Sequence, residues 1–146
     1  AKVEEIKRAI EEGADEVDAV INLCAVKNSQ WSYIRNEMDS LCTAAHMKGK
    51  KIKIILETTL LREAEIRQLA EIAMEIKPDF LKTSTGFNGG ATLEAIHLLR
   101  ELVDGQIALK ASGGIRHYAD AQAFIDAGVQ RIGTSAGIQI LREAGF

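Results

Sequence analysis

The sequence holds one proline, two cysteines and few aromatic residues, 5% of its 146 positions. It also lacks any apolar run approaching the roughly 20 residues that a membrane-spanning helix needs, which removes insertion in a bilayer from consideration. Basic residues show no excess: 18 Lys and Arg stand against 21 Asp and Glu, a net charge of −3. Without a global positive field there is nothing to hold a nucleic-acid backbone. Cys24 and Cys42 lie far apart with no Cys or His at ligand spacing, so neither a disulfide scaffold nor a zinc site is expected. The first residues, AKVEEIKRAIEEGADE, form a charged amphipathic segment with no apolar signal region, and with reduced thiols this predicts a cytoplasmic protein.

What is present is 47% hydrophobic and 27% charged residues with twelve glycines, the make-up of a folded domain punctuated by glycine turns. Five apolar runs read as strands: Glu16 to Leu23, Ile52 to Thr58, Phe80 to Thr85, Ile107 to Ser112 and Arg131 to Ser135. Helical periodicity fills the intervals. It is carried by Ile34, Met38, Leu41 and Ala45, then by Ile66, Leu69, Ala70 and Ala73, then by Leu93, Ile96, Leu99 and Val103, and further on by Ala121, Phe124 and Ile125. An opening helix carries Val3, Ile6, Ala9 and Ile10, and a last one begins near Ile138. Strands recurring at roughly 30-residue intervals with helices between them predict β-helix-β units and a parallel sheet.

The strands are not apolar on both faces, as an open sheet covered by two helical layers requires. Val17, Ala19 and Ile21 alternate with Glu16, Asp18 and Asn22; Ile52, Ile54 and Leu56 alternate with Lys53 and Glu57; Leu81 and Thr83 alternate with Lys82 and Ser84. One apolar and one polar face is the pattern of a barrel with a polar interior. A closed barrel of eight β/α units takes ~250 residues and at least ~200, so a chain of 146 with five strands is read as a single partial (β/α) barrel domain, residues 1–146.

Two lysines stand inside strands, in FLKTSTGF (Lys82) and ALKASGGI (Lys110), toward the carboxyl ends where barrel active sites lie. Either alone could serve only to neutralise an interior carboxylate such as Asp18 or Glu57. Two on adjacent strands would converge, and repulsion with desolvation would favour a neutral, nucleophilic amine, which Schiff-base chemistry requires. Glycines follow both strands and flank a third, in Gly113-Gly114 and around Ser135. A lone Gly-Gly is most often a turn, but amides at such loops can cradle a phosphate, making Gly113, Gly114 and Ser135 candidates.

Taken together and in order, EVDAVIN, IILET, FLKTSTGF followed by GGAT, ALKASGGIR and RIGTSAG resemble the deoxyribose-phosphate aldolases over nearly the whole chain. The resemblance implies a TIM-barrel fold and a class I retro-aldol cleavage of 2-deoxyribose 5-phosphate to glyceraldehyde 3-phosphate and acetaldehyde, with no metal or organic cofactor. It assigns Lys82 as the Schiff-base lysine, Lys110 as the neighbour that lowers its pKa, and Asp18 as the carboxylate working with water in proton transfer. Gly86, Gly113, Gly114, Gly133 and Ser135 would line the phosphate site. The five strands correspond to the fourth through eighth of the family's barrel, and STGFNGGAT is a shorter loop than the family's usual one.

Five strands cannot close with an eight-strand stagger, so the edges need cover. The expectation is a homo-oligomer burying them, or else a smaller five-stranded closure. Two other functions fit the same residues: a non-catalytic oligomeric remnant that keeps the phosphate site, and a class I aldolase for another aldehyde. His46, His97 and His117 are read as surface or packing residues, Trp31 and Tyr33 as packing or interface residues, and Cys24 and Cys42 as small buried hydrophobes. Arg131 is expected to pair with an interior carboxylate, Glu57 being one choice.

Overall fold

A computed structural model describes all residues, 1–146. The order is α1 (Lys2–Glu11), β1 (Glu16–Val20), α2 (Leu23–Lys27), α3 (Trp31–His46), β2 (Lys51–Ile55), a 3-10 turn (Thr58–Leu60), α4 (Glu63–Ile76), β3 (Phe80–Lys82), α5 (Leu93–Val103), β4 (Ala108–Ser112), α6 (Tyr118–Asp126), β5 (Arg131–Gly133) and α7 (Gly137–Glu143). The five strands form one sheet in sequence order, every neighbouring pair parallel. This is the β/α repeat that the periodicity predicts.

Local chemistry sets the boundaries. Asn22 caps α2 by accepting the Ala25 amide at 3.0 Å, and Thr92 caps α5 by accepting the Ala95 amide at 3.1 Å. Helix α4 ends at Lys77 in the left-handed region, directly before the single proline, which cannot continue a helix. The strands are shorter than their apolar runs: β1 stops at Val20 because the chain turns at once into α2, a helix the periodicity does not reveal, and β2 stops at Ile55. Cys24 falls on α2 and is exposed, contrary to expectation, whereas Cys42 is buried and its thiol is pushed up to about 12 by burial.

Successive helices pack against one another along the outer face of the sheet. Val17, Ala19, Ile52, Ile54, Leu81, Leu109 and Ala111 point into that layer and join Leu41, Leu69, Ile72 and Leu99 in one buried apolar cluster. Truncating one of these fully buried Leu or Ile side chains to Ala costs about 2–5 kcal/mol. The opposite face carries charge, as the alternation in the sequence requires.

The sheet does not close. Strands β1 and β5 each have one hydrogen-bonded neighbour, so the five-stranded closure considered above is not formed. The sheet is nevertheless curled so far that Arg131 at the start of β5 donates to Glu16 at the start of β1. The interior carboxylate that Arg131 pairs with is thus Glu16; Glu57, the one choice suggested for it, binds Thr85 and Asn88 instead.

Candidate active site

Lys82 and Lys110 are direct register partners on β3 and β4. Parallel neighbours lie ~4.8 Å apart and share a facing direction at paired positions, so both side chains emerge side by side on the concave face, each largely buried. Asp18 on β1 comes to meet them. Its Oδ2 lies 2.8 Å from Lys82 Nζ and 3.8 Å from Lys110 Nζ. The three residues singled out for chemistry thus form one cluster on the concave face, with Lys82 the last residue of β3 and Asp18 and Lys110 at the middle of β1 and β4.

Lys53 on β2 completes the cluster. Only 4% exposed, it donates to Asp18 Oδ1 at 3.0 Å and sits 3.2 Å from Glu16 Oε2. Glu16 also accepts from Arg131, and the Phe80 ring lies beneath both cations, 4.6 Å from the Arg131 guanidinium and 5.9 Å from Lys53 Nζ. Charges of alternating sign therefore run from β5 through β1 and β2 back to Asp18 and the lysine pair. Four cations face two carboxylates, leaving the concave face positive. The sequence places Lys53 on the polar face, but assigns it no partner.

Burial raises the Asp18 carboxyl, but hydrogen bonds from Lys82 and Lys53 outweigh it and hold the group below its usual range. Glu16 is lowered by its hydrogen bonds with Arg131 and then Lys53. Lys110 is depressed, first by burial and second by the charge of Lys82. Asp18 is consequently an anion held between ammonium groups, and Lys110 is the lysine that gives up its proton more readily than a free one.

Beside Lys82 opens a polar cavity of ~410 Å³ lined by Gly86, Gly113, Gly114, Gly133 and Ser135, all five of the positions expected at a phosphate, with Thr85, Ser112, Ile115, Arg116 and Thr134 completing it. The backbone N–H groups of Gly86, Gly113, Gly114 and Ser135 donate to no group within the chain, so the cavity presents free amide donors in the manner of an anion-binding nest. Two glycines are required by close approach. A Cβ on Gly133 would stand 2.8 Å from Ser112 Cβ and 3.0 Å from Lys110 Cε, and one on Gly90 would stand 2.2 Å from the Gly113 carbonyl oxygen. Arg116 and Thr134 had no signal beyond their adjacency to the glycine motifs.

Other marked residues lie apart from this face. His46 pairs with Asp79 at 2.7 Å and His117 with Glu143 at 3.0 Å, both partly exposed. His97 is exposed, and Trp31 and Tyr33 open α3.

Sequential parallel β/α units in one curled sheet, with helices along its outer face and charged groups gathered on its concave face, define the β/α-barrel class. Within that class the chain belongs to the DeoC/LacD aldolase family, whose model matches residues 1–144. It is 47% identical over 144 residues to a deoxyribose-phosphate aldolase of Thermococcus kodakarensis, covering 98% of this chain and 64% of that protein. An Exiguobacterium deoxyribose-phosphate aldolase is 48% identical over 141 residues, covering 96% and 63%. Among solved structures, an aldolase designated QR15 superposes with a TM-score of 0.90 at 41% identity, covering 97% of this chain and 64% of that one. The deoxyribose phosphate aldolase of Aeropyrum pernix, described as a unique tetramer, superposes with a TM-score of 0.88 at 29% identity, covering 97% and 60%. The chain therefore spans a little under two thirds of the length of these relatives, and as a five-stranded open sheet it is a partial barrel.

Proposed function

We propose that this chain carries the reacting set of a class I, Schiff-base aldolase acting on 2-deoxyribose 5-phosphate, the reaction for which its relatives are named. The observation that carries this reading is the convergence of Lys82, Lys110 and Asp18 beside a cavity of free backbone amides. A structural role for one interior lysine is satisfied by one carboxylate; two adjacent lysines sharing a single carboxylate oxygen exceed it.

In this reading Lys82 passes a proton to the neighbouring Lys110 amine, which is depressed by burial and by the charge of Lys82; the freed Nζ adds to the aldehyde carbon of the sugar, and loss of water leaves an iminium. A proton leaves the 3-hydroxyl toward water held by Asp18. The C2–C3 bond breaks, C3 becomes the carbonyl of glyceraldehyde 3-phosphate, and the bonding pair moves toward the iminium nitrogen to give an enamine. Protonation of the enamine at C2 and addition of water to the resulting iminium release acetaldehyde and restore Lys82. Asp18, kept anionic by Lys82 and Lys53, suits the role of orienting water and passing protons. Gly86, Gly113, Gly114, Gly133 and Ser135 would hold the phosphate, and the positive concave face favours its approach.

Borohydride trapping with 2-deoxyribose 5-phosphate or acetaldehyde, followed by peptide mass mapping, tests the chemistry without requiring full turnover. A reduced adduct on Lys82 is the expected result. No adduct in folded protein overturns the catalytic reading and favours a remnant that keeps only the phosphate site.

The same reading extends to assembly and location. Each edge strand presents unpaired backbone groups, and Ile138, Leu141 and Phe146 are 71%, 53% and 90% exposed near one edge; a homo-oligomer of single-domain chains would cover such surface. Light scattering at micromolar concentration checks this, with a monomer mass counting against it. The free thiols Cys24 and Cys42 suit a reducing cytoplasm.

A further inference from the structure

Glu57 is a carboxylate that the reacting set does not use, yet it is 1% exposed and lies in the left-handed region at φ 47°, ψ 61°. A non-glycine residue is held in that conformation when its surroundings over-determine it. Here the surroundings are the segment that follows Lys82. Glu57 Oε1 accepts the Thr85 amide at 3.1 Å, while Oε2 accepts the Thr85 hydroxyl at 2.5 Å and the Asn88 side-chain amide at 3.3 Å. The backbone on either side is stitched to the same segment, the Leu56 amide donating to the Lys82 carbonyl at 3.0 Å and the Thr58 amide to the Thr83 carbonyl at 2.9 Å. Thr59 Oγ1 adds a bond to the Asn88 carbonyl.

These contacts specify what the loop can offer to a ligand. The Thr85 amide and hydroxyl proton are both consumed by Glu57, and the Thr85 oxygen accepts the Phe87 amide at 3.2 Å. The Gly86 amide between them is left without an acceptor and lines the cavity. Further along, Ala91 donates to the Ser112 and Gly113 carbonyls, at 3.0 and 3.2 Å, tying the far end of the loop to the second wall of the same cavity.

We infer that Glu57 is a positioning residue that latches the Thr85–Asn88 loop so that the Gly86 amide faces a phosphate bound in the cavity beside Lys82. It touches neither the reacting atoms nor the ligand; it acts by consuming the competing donors of Thr85 and Asn88. Glutamine cannot replace it, since one of its two terminal atoms is itself a donor and would face donors. The inference rests on the reading of that cavity as a phosphate site.

The test uses the whole chain, with inorganic phosphate as the probe, and compares wild type with Glu57→Gln and Glu57→Gly. The glycine variant separates the latch from backbone strain, because it adopts the left-handed conformation freely but carries no carboxylate. Both variants are expected to weaken phosphate binding about tenfold, the loss of charge-assisted hydrogen bonds. Hydrogen exchange at Gly86 to Gly90 should quicken, and the rate of acetaldehyde trapping on Lys82 should fall by a smaller factor, since acetaldehyde has no phosphate. A glycine variant that binds phosphate as wild type does overturns the latch, as do equal losses of phosphate binding and acetaldehyde trapping. Absence of phosphate binding by the wild type overturns the cavity reading and the latch with it, whereas loss in the variants alone supports both.

Discussion

Arg131 donates to Glu16 across the concave face, joining the two edge strands that share no backbone hydrogen bond. Through Glu16 the bridge reaches Lys53, and through Lys53 it reaches Asp18. The bridge thus helps hold the curl that brings Asp18 over the lysines of β3 and β4. Arg131→Met is expected to destabilise the fold by about 1–2 kcal/mol, less than a deeply buried pair because both partners retain some exposure. Urea unfolding at neutral pH measures it. Because the bridge spans the open side, the same variant should slow borohydride trapping at Lys82, a residue it does not contact.

The pH dependence of that bridge has a fixed sign. Glu16 and Asp18 are both held below their ordinary values, so the folded state binds these protons less readily than the unfolded chain. Their contribution is fully present above the ordinary carboxylate range, near pH ~4, and is lost as pH falls through the folded values. Glu16→Gln should therefore narrow the stability gap between pH 7 and pH 3 relative to wild type. A gap unchanged in urea titrations at the two pH values would remove Glu16 from the linkage.

Lys82 and Lys110 were legible in the sequence because an unbroken apolar strand has no use for a lysine, and their equal placement in two strands announced a common face. Asp18 was legible for the same reason in β1. The partner of Arg131 was not, since spacing along the chain says nothing of how tightly an open sheet curls, and Glu16 comes within reach only through that curl. Helix α2 was hidden because five residues are too few to establish a period; its signal was Asn22, whose side chain caps it. The role of Glu57 depends on a left-handed backbone conformation that a glutamate does not advertise. Lys53 carried the right alternation, yet its use depends on the distance from β2 to Asp18.

Lys110 is depressed first by burial and then by the neighbouring charge of Lys82. Lys82→Leu removes that neighbour and leaves Asp18 Oδ2, 3.8 Å away, free to attend Lys110. The Lys110 amine should then titrate at higher pH than in wild type, and the pH dependence of its reductive methylation, followed by NMR, reports the change. The same variant should form no trapped imine at position 82 while keeping its far-ultraviolet spectrum. A downward move of Lys110 would contradict the coupling of the two amines.

Away from the site, Glu65 is a buried carboxylate whose pKa is lowered to about 2, chiefly by the Arg62 amide and then by Lys27 Nζ at 2.7 Å. Its stabilising effect is complete above the unfolded value of ~4.3 and is lost as pH falls toward 2. Glu65→Gln should be less stable than wild type at pH 7, with the difference shrinking progressively below pH 4. Thermal melts across that interval measure it, and a difference independent of pH would assign the loss to packing alone.

Gly133 offers a steric test of the lysine geometry. A methyl group there would overlap Ser112 Cβ at 2.8 Å and press on Lys110 Cε at 3.0 Å. The serine belongs to a strand held in register, so it yields little, whereas the lysine stem can swing aside. Gly133→Ala is accordingly expected to cost about 1–3 kcal/mol from overpacking and to displace Lys110 Nζ from its place beside Lys82. The two effects are separable. Urea unfolding reports the first, and a rise in the titration of Lys110 toward that of a free lysine reports the second, because a swung-out amine escapes both burial and its neighbour's charge. Destabilisation without movement of Lys110 would mean that the strain is taken up by β5 itself, and that the glycine serves the sheet and not the amine.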